Sequence, residues 1–342
     1  MQVYLGVDFH PHQQTVAWCD YETGEIKTRD LVHQKDEVKE FYKSFPPAIV
    51  GIEASSNAVW FEALMTETGH HLRVGNPTLI RARARSRHKS DKRDAELILD
   101  LLMKGEFPAI WRRPEWSNQV LEVLHLRMCL VRQRTQIYNR LQALAHSCGL
   151  PKGRMKSARY LALLKQSAVS ETQVLGQEQL SGLLNQFNQQ ILELESWLKA
   201  KAEDNKDVQL LLTQKGVGLL TALSVVHTLG EVQRFGRIHK QVVAFAGLDP
   251  LEKSSAGKVR FGGISKKGNQ LLRFQLGQAG NIAARSDGKL KSFHKRLAKK
   301  KPRSVVKTAV ARKLLVKLAI MLRDQITAAE FDERGRAVEH AR

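Results

Sequence analysis

The first third of the chain alternates short apolar runs with amphipathic segments. Three strand-like runs come first, each closed by polar turn residues: Val3–Val7, Thr15–Cys19 and Ile26–Val32. Helix-like and strand-like segments then alternate: Asp36–Phe45, Ile49–Ile52, Val59–Thr68, Leu72–Val74 and Ser90–Met103. This order, βββαβαβα, predicts an α/β ribonuclease H-like domain in residues 1–107.

The middle of the chain changes to a helical period. From Glu115 to about Gly149, apolar residues recur at every seventh position. Between Leu180 and Leu198 they step alternately by four and three residues, which is the spacing of a coiled-coil seam. We therefore predict a coiled-coil helical region in residues 115–205. An intramolecular antiparallel hairpin, a dimer interface and the core of an ordinary helical bundle all fit this pattern.

Beyond Asp207, glycines punctuate segments of helical period. A mainly α-helical domain is predicted for residues 206–325, and it includes an amphipathic stretch from Val305 to Leu322. We interpret residues 326–342 as a C-terminal tail.

Composition adds a strong positive charge. The 342 residues carry 55 Lys and Arg against 34 Asp and Glu, a formal net charge of +21. Such an excess indicates a polyanionic partner, with nucleic acid favoured over an anionic membrane surface. No window approaches the roughly 20 apolar residues that span a bilayer, and no signal peptide is recognisable. Three widely spaced cysteines suit reduced thiols, so we expect a cytoplasmic protein with no membrane partner.

Four acidic residues stand at positions where a sheet and a helix would bring them together. Asp8 ends the first strand, Glu53 ends a later buried strand, and Asp91 and Asp94 share one face of the predicted helix. Clustered carboxylates repel one another, and a hard divalent cation such as Mg²⁺ is the physical reason to assemble them. Taken singly, each acid also fits a strand end, an arginine partner or a helix start.

Two basic segments are candidates for nucleic-acid contact. The first adjoins the acidic pair and contains Arg81, Arg83, Arg85, Arg87 and Lys89. The second, Lys299, Lys300 and Lys301, precedes the amphipathic stretch near the C-terminus. Both would neutralise phosphates, although a solvated charged face is the alternative for each.

A glycine-rich segment between Gly247 and Arg273 interleaves hydroxyls with positive charge. Its candidate phosphate contacts are Lys258, Lys266, Lys267 and Arg273. A serine hydroxyl in such a loop can attack phosphorus if it is deprotonated or polarised by a metal ion. The alternative is that Ser254, Ser255 and Ser265 act only as turn or helix-cap hydroxyls.

Both segments resemble the transposases of insertion sequence family 110, which includes the related Piv-type DNA invertases. Asn76-Pro77 through Lys89-Ser90-Asp91-Lys92-Arg93-Asp94-Ala95 is similar to the family's NP…KSDxxDA pattern. Gly247-Leu248-Asp249-Pro250 through Ser255, Ile264-Ser265-Lys266-Lys267-Gly268-Asn269 and Leu272-Arg273 is similar to its second pattern. The resemblance implies a RuvC-like domain whose DEDD tetrad, here Asp8, Glu53, Asp91 and Asp94, binds Mg²⁺, with Mn²⁺ as the alternative ion.

The resemblance also implies a mechanism and partners. Alignment on Ile264 places the family's serine nucleophile at Ser255, in the C-terminal transposase domain. Family members form dimers that pair into tetramers, with composite sites, and a structured non-coding bridge RNA guides them to double-stranded donor and target DNA. The expected protein is a bacterial, nucleoid-associated recombinase with a transient phosphoserine intermediate. The alternatives are a RuvC-like structure-specific endonuclease that uses water and a non-enzymatic nucleic-acid-binding scaffold.

Overall fold

The computed structural model describes residues 2–20, 23–55, 58–84, 90–154, 157–168, 170–252 and 261–340. The chain divides into two compact units, Met1–Arg112 and Arg113–Arg342. The second unit contains both the predicted helical region and the predicted transposase domain. In the described part of the chain, no helix is long and apolar enough to cross a membrane.

The first unit is built on a mixed five-stranded sheet. Its strands are β1 Val3–Phe9, β2 Gln13–Cys19, β3 Ile26–Val32, β4 Ala48–Glu53 and β5 His71–Gly75. They lie in the order β3-β2-β1-β4-β5, with β1, β2 and β3 antiparallel and with β4 and β5 parallel to β1. The helices are α1 Lys35–Lys43, α2 Val59–Glu67, α3 Pro77–Arg81 and α4 Asp91–Met103. A mixed α/β sheet was the prediction for this region.

The two faces of this sheet pack differently. Leu5, Val7 and their neighbours on β4 form one apolar cluster with side chains of α1 and α2, including Tyr42 and Phe61. On the opposite face, α4 packs against β1 and β4 through Ala95, Ile98, Leu99 and Leu102. Because side chains alternate along a strand, Asp8 and Glu53 belong to the α4 face.

Glycines let α4 approach that face. Gly6 and Gly51 are register partners on β1 and β4. A Cβ at Gly6 would lie 2.3 Å from the Ala95 carbonyl oxygen and 2.4 Å from the Leu99 nitrogen. A Cβ at Gly51 would meet only side-chain ends, 2.7 Å from Leu102 Cδ1. The backbone of α4 therefore rests directly on β1, at a distance that only glycine permits.

The second unit begins with two long helices that pack against each other. The helices of this region are α5 Glu115–Ser147, α6 Ala158–Ser167 and α7 Glu171–Glu203. Arg127 contacts Glu195, and Arg134 Nη1 donates to Asn188 Oδ1 at 3.1 Å. Since partners on α7 fall in number as those on α5 rise, the helices run antiparallel within one chain. Of the arrangements compatible with the sequence, this is an intramolecular hairpin.

The remainder of the second unit is mainly helical. Its helices are α8 Lys206–Leu212, α9 Leu219–Leu229, α10 Ile238–Phe245, α11 Gln270–Ser286, α12 Gly288–Ala298, α13 Arg303–Asp324 and α14 Ala328–His340. Two short antiparallel strands, β6 Pro250–Glu252 and β7 Phe261–Ile264, interrupt them. One large apolar cluster joins α9, α11 and α13 to the adjoining ends of α5 and α7.

Two features of this unit differ from the sequence interpretation. Strands β6 and β7 lie within the glycine-rich segment between Gly247 and Arg273, which we interpreted as a loop. The region interpreted as a tail contains α14, which begins where the Ala328 amide donates to Thr213 Oγ1 at 3.1 Å. Asp332 of α14 accepts a hydrogen bond from buried Lys317 at 3.0 Å, and Phe331 packs on the large cluster. These contacts explain why the first part of the tail is ordered as a helix.

Candidate active site

Asp8 and Glu53 lie at the carboxyl ends of adjacent parallel strands. Val7 of β1 is the register partner of Ile52 of β4, so the next residue on each strand is one of these acids. Asp8 is buried and Glu53 half-buried. The topology alone therefore brings two of the four predicted acids to one edge of the sheet.

The N-terminus of α4 brings the other two acids to the same face of the sheet. The Ser90 side chain caps this helix by accepting a hydrogen bond from the Arg93 amide at 3.4 Å. Asp91 and Asp94 occupy the first turn, where the helix dipole stabilises negative charge. The close contact of Gly6 with the Ala95 carbonyl fixes this turn against the end of β1.

His10 joins the acids, although we did not identify it from the sequence. Its Nε2 lies 3.1 Å from Asp8 Oδ2 and 3.6 Å from Asp91 Oδ1. One donor atom from each of these three residues lies within 4.8 Å of the other two, a spacing that suits a metal ion. The available signal was position: residues two apart at a strand end emerge on the same side.

The electrostatics of Asp8 reflect this crowding. Burial raises the pKa of the Asp8 carboxyl above its ordinary value, and the nearby Asp94 and Asp91 raise it further. His10 opposes this increase in pKa through its charge and its hydrogen bond. The site thus concentrates negative charge at a partly desolvated position, where a bound cation would be stabilised.

The basic run beside the acids is described only in part. Arg81 and Arg83 are exposed, and Arg83 Nη1 donates to the Glu106 carbonyl oxygen at 2.6 Å. That hydrogen bond gives Arg83 a structural contact within the first unit. Arg85, Arg87 and Lys89 lie outside the described residues.

The predicted nucleophile also lies outside them. Residues 253–260, which include Ser254, Ser255 and Lys258, follow β6 directly and precede β7. Ser265 donates its hydroxyl to Asp249 Oδ1, which ties the residue after β7 to the residue before β6. The described residues thus define where the segment containing Ser255 begins and ends, because β6 and β7 are paired.

Much of the second motif stabilises the base of this strand pair. Gly247 and Lys266 adopt left-handed backbone conformations, with φ of 65° and 56°. A Cβ at Gly268 would lie 2.1 Å from the Phe245 carbonyl oxygen, and the Asn269 side chain caps α11 by accepting from the Leu272 amide at 2.9 Å. The local backbone therefore favours glycine at positions 247 and 268 and asparagine at position 269, whereas Lys266 adopts a conformation that is uncommon for lysine.

Arg273 has an intramolecular role that we did not predict. Its Nη1 donates to the Ala246 carbonyl oxygen at 3.1 Å and to the Gly268 carbonyl oxygen at 2.6 Å. Arg312 donates in the same way to the Leu248 carbonyl oxygen, at 2.7 Å from Nη2. The two arginines connect the turn before β6 to the loop before α11 and to α13.

Exposed lysines remain available around this scaffold. Lys266 and Lys267 are exposed after β7, and Lys299, Lys300 and Lys301 are exposed after α12. Among the described residues, none of these five lysines forms an ion pair. They are therefore available for contact with an external anion.

Known families match both parts of this architecture. A family described as the IS116/IS110/IS902 transposases matches residues 208–295, and a transposase family of the IS110 DEDD type matches residues 5–148. The chain belongs to the IS110 transposase family. It is therefore an enzyme of DNA cleavage and transfer. The DEDD-type match includes all four predicted acids, and the IS116/IS110/IS902 match includes β6, β7 and the segment between them.

Individual relatives support the same membership. A probable family 20 transposase of Pseudomonas aeruginosa is 27% identical over 319 residues, which is 90% of this chain and 93% of the relative. The transposase of insertion sequence element IS1328 from Yersinia enterocolitica is 28% identical, over 81% of this chain and 83% of its own length. The IS1111A transposase of Coxiella burnetii is 32% identical over 55% of this chain and 53% of its own length.

Proposed function

We propose that this IS110-family transposase cleaves and rejoins DNA with a divalent metal ion held by Asp8, Glu53, Asp91 and Asp94, through a transient bond to Ser255. The observation that carries the proposal is the donor cluster of Asp8, His10 and Asp91, whose ligand atoms lie within 4.8 Å of one another. The cluster lies at the end of a sheet whose strand order is the one expected of a ribonuclease H-like fold.

The residues present fit a hard divalent cation. Burial and the neighbouring charges of Asp94 and Asp91 raise the pKa of the Asp8 carboxyl, and carboxylate oxygens are the ligands that Mg²⁺ and Mn²⁺ prefer. His10 adds a nitrogen donor, which Mn²⁺ accepts more readily than Mg²⁺ does. When bound, such an ion would polarise a phosphodiester and stabilise its developing charge.

Groups of the protein itself would then supply the nucleophile and accept its proton. The Ser255 oxygen would attack phosphorus, the phosphorus–oxygen bond to the leaving strand would break, and that oxygen would take up a proton. The serine proton would pass to a base, for which the described residues around β6 and β7 offer no histidine. A second subunit could bring its four acids to Ser255 and so supply the missing activation. We therefore propose composite sites in dimers that pair into tetramers.

Sequence choice is proposed to come from a bridge RNA. The support is the family membership together with a net charge of +21 and the absence of a recognisable base-reading motif from the sequence. A protein that binds both nucleic acids mainly through phosphates needs this excess of charge. In this proposal the enzyme acts on double-stranded donor and target DNA in the bacterial cytoplasm, at the nucleoid.

The acids are tested by Asp8→Asn with Asp100→Asn as the matched control. Asp100 forms an exposed ion pair with Lys104 on α4. In the described part of the chain it does not belong to the cluster of possible metal ligands. On a plasmid carrying both DNA sites, with the RNA and Mg²⁺ or Mn²⁺ supplied, we expect D8N to abolish cleavage and D100N to retain it. Equal activity of D8N and the parent would refute the metal-site proposal.

The serine is tested by trapping a protein–DNA adduct on a nicked DNA substrate. We expect an adduct with the parent and with Ser254→Ala, and none with Ser255→Ala. If S255A forms the adduct as readily as the parent does, Ser255 is not the nucleophile. Cleavage that requires Asp8 but yields no adduct from any variant would instead indicate a nuclease that uses water.

A further inference from the structure

One stretch of the chain contains positive charge without any acidic residue. From Val123 to Ser170 there are nine lysines and arginines and no aspartate or glutamate. The nearest acids after this stretch are Glu171 and Glu178, in the first turns of α7. For a chain with 34 acids in 342 residues, this is a marked local excess of positive charge.

The structure places the later part of this stretch at the far end of the α5–α7 hairpin. There α5, α6 and α7 enclose a small apolar cluster of their own, formed by Ile137, Leu141, Ala145, Leu164 and Leu184. Leu124 of α5 belongs instead to the large cluster of the second unit. At the helical rise, Leu124 and Leu141 are about 25 Å apart, so the far end is a separate packing module.

Basic side chains at the two ends of the hairpin have different partners. Near the large cluster, Arg127 pairs with Glu195, and farther along Arg134 bonds to Asn188. Beyond Ile137, the basic residues Arg140, Lys152, Arg154, Arg159 and Lys165 are all exposed. Within the described ranges none of these five forms an ion pair, so their charge is directed to solvent.

A cleft concentrates this charge beside α6. It has a volume of about 480 Å³, and its lining includes Arg154, Ser157, Arg159, Tyr160, Leu163 and Gln166. Two arginines, a serine and a glutamine are therefore among the residues that line one opening. This donor set, with no carboxylate in it, matches the oxygen atoms of a sugar-phosphate backbone.

The wall of the cleft is fixed by intramolecular contacts. The Tyr160 hydroxyl donates to the Pro151 carbonyl oxygen, and the ring packs on Gly153 so closely that a Cβ there would lie 2.0 Å from it. The Gly153 amide donates to Gln142 Oε1 of α5 at 3.2 Å. These contacts anchor Pro151 and Gly153, and the Ser157 amide donates to the Arg154 carbonyl oxygen at 2.8 Å, which holds Arg154 beside the N-terminus of α6.

We propose that this cleft, with Arg154 and Arg159 as its principal groups, binds the backbone of duplex DNA at the far end of the hairpin. DNA is the polyanion on which this enzyme family acts. The contact would be to phosphates, because arginine and hydroxyl donors without a groove-reading element carry no sequence information. The separation of about 25 Å along the hairpin corresponds to roughly seven base pairs of duplex.

The test compares two double variants of the full-length protein. Arg154→Gln/Arg159→Gln removes the cleft charges, and Lys199→Gln/Lys201→Gln removes two exposed charges near the other end of the hairpin. Binding to a duplex of about 30 base pairs is measured by fluorescence anisotropy from about 50 to about 200 mM salt. The buffer contains EDTA, so the result is independent of the proposed metal site and of Ser255.

The slope of log K against log salt is negative, and each lost phosphate contact reduces its magnitude by about 0.9. We expect the magnitude of the slope to be about 1.8 smaller for R154Q/R159Q than for the parent. Over that salt range the parent should then lose roughly tenfold more affinity than this variant. K199Q/K201Q should keep the parent slope. Arg154→Lys/Arg159→Lys retains the charge and should therefore keep most of the parent slope. That result would show that replacing these two arginines does not by itself unfold the hairpin.

Three results would overturn the proposal. An unchanged slope in R154Q/R159Q would mean that the cleft contacts no phosphate of the duplex. An equal fall in both double variants would mean a general effect of net charge. A loss confined to binding of a structured RNA, with duplex affinity intact, would assign the cleft to RNA.

Discussion

Gly6→Ala tests whether the contact between α4 and β1 controls the acidic site. The new Cβ would lie 2.3 Å from the Ala95 carbonyl oxygen, whereas an ordinary contact is about 3.5 Å. The obstructing atoms are backbone, so α4 itself must move away by about 1 Å. We expect a cost of about 1–3 kcal/mol in the free energy of unfolding, which a folded domain survives.

The displacement should matter more for the site than for stability. Asp91 and Asp94 begin α4, and they would move with it away from Asp8. A misplacement of about 1 Å costs about a hundredfold in rate, and distorted ligand geometry costs about tenfold or more in metal affinity. Gly51→Ala is the matched control, because the nearest neighbours of its Cβ are side-chain atoms of Leu102 and Ile98, not the backbone of the same helix.

The assays are urea unfolding, Mn²⁺ binding followed by electron paramagnetic resonance, and DNA cleavage. We expect G6A to lose Mn²⁺ affinity and activity well beyond its loss of stability, while G51A keeps both within a few-fold of the parent. The reasoning is refuted if G6A binds Mn²⁺ as tightly as the parent does. Equal damage by G51A would also refute it, since the approach of the α4 backbone would then not be the cause.

Two further predictions concern buried ionisable groups of the second unit. Burial lowers the pKa of His227 to about 4, so the unfolded state binds more protons between pH 6.5 and pH 4. The free energy of unfolding should therefore fall by up to about 3 kcal/mol as the pH drops from 6.5 to 4. Urea unfolding of His227→Leu should lack this loss. An identical pH dependence in the variant and the parent would contradict the prediction. Lys317→Met leaves buried Asp287 without its cation, and should cost about 3–5 kcal/mol in urea unfolding. A cost no larger than that of exposed Lys307→Met would show that the pair is not stabilising.

The sheet could be predicted because its pattern is local. Each strand of the first unit is an apolar run bounded by turn residues, and the acids stand directly at strand and helix ends. The register that sets Asp8 beside Glu53 follows from the strand order, which a βββαβ pattern already suggests. The role of Gly6 could not be predicted, because it depends on which helix covers its face.

The second unit was harder to predict because its features are non-local. Strands β6 and β7 have three and four residues, too few for an alternating pattern to emerge. Helix α14 depends on Lys317, whose charge gave no sign that it is buried. Arg273 was interpreted as a phosphate contact because charge is visible in a sequence, whereas the carbonyl oxygens of Ala246 and Gly268 that it binds are not.

The scaffold around β6 and β7 affects how such sequences should be classified. Gly247, Gly268, Asn269 and Arg273 belong to the motif by which the family is recognised, yet each has a structural task in turns, a helix cap or a clamp. A transposase inactivated by mutation of Ser255 or of one of the acids could therefore keep this motif, fold and bind DNA. Identifying active transposases in a genome therefore requires inspection of the residues for which we propose chemical roles, because a match to the motif reflects the fold.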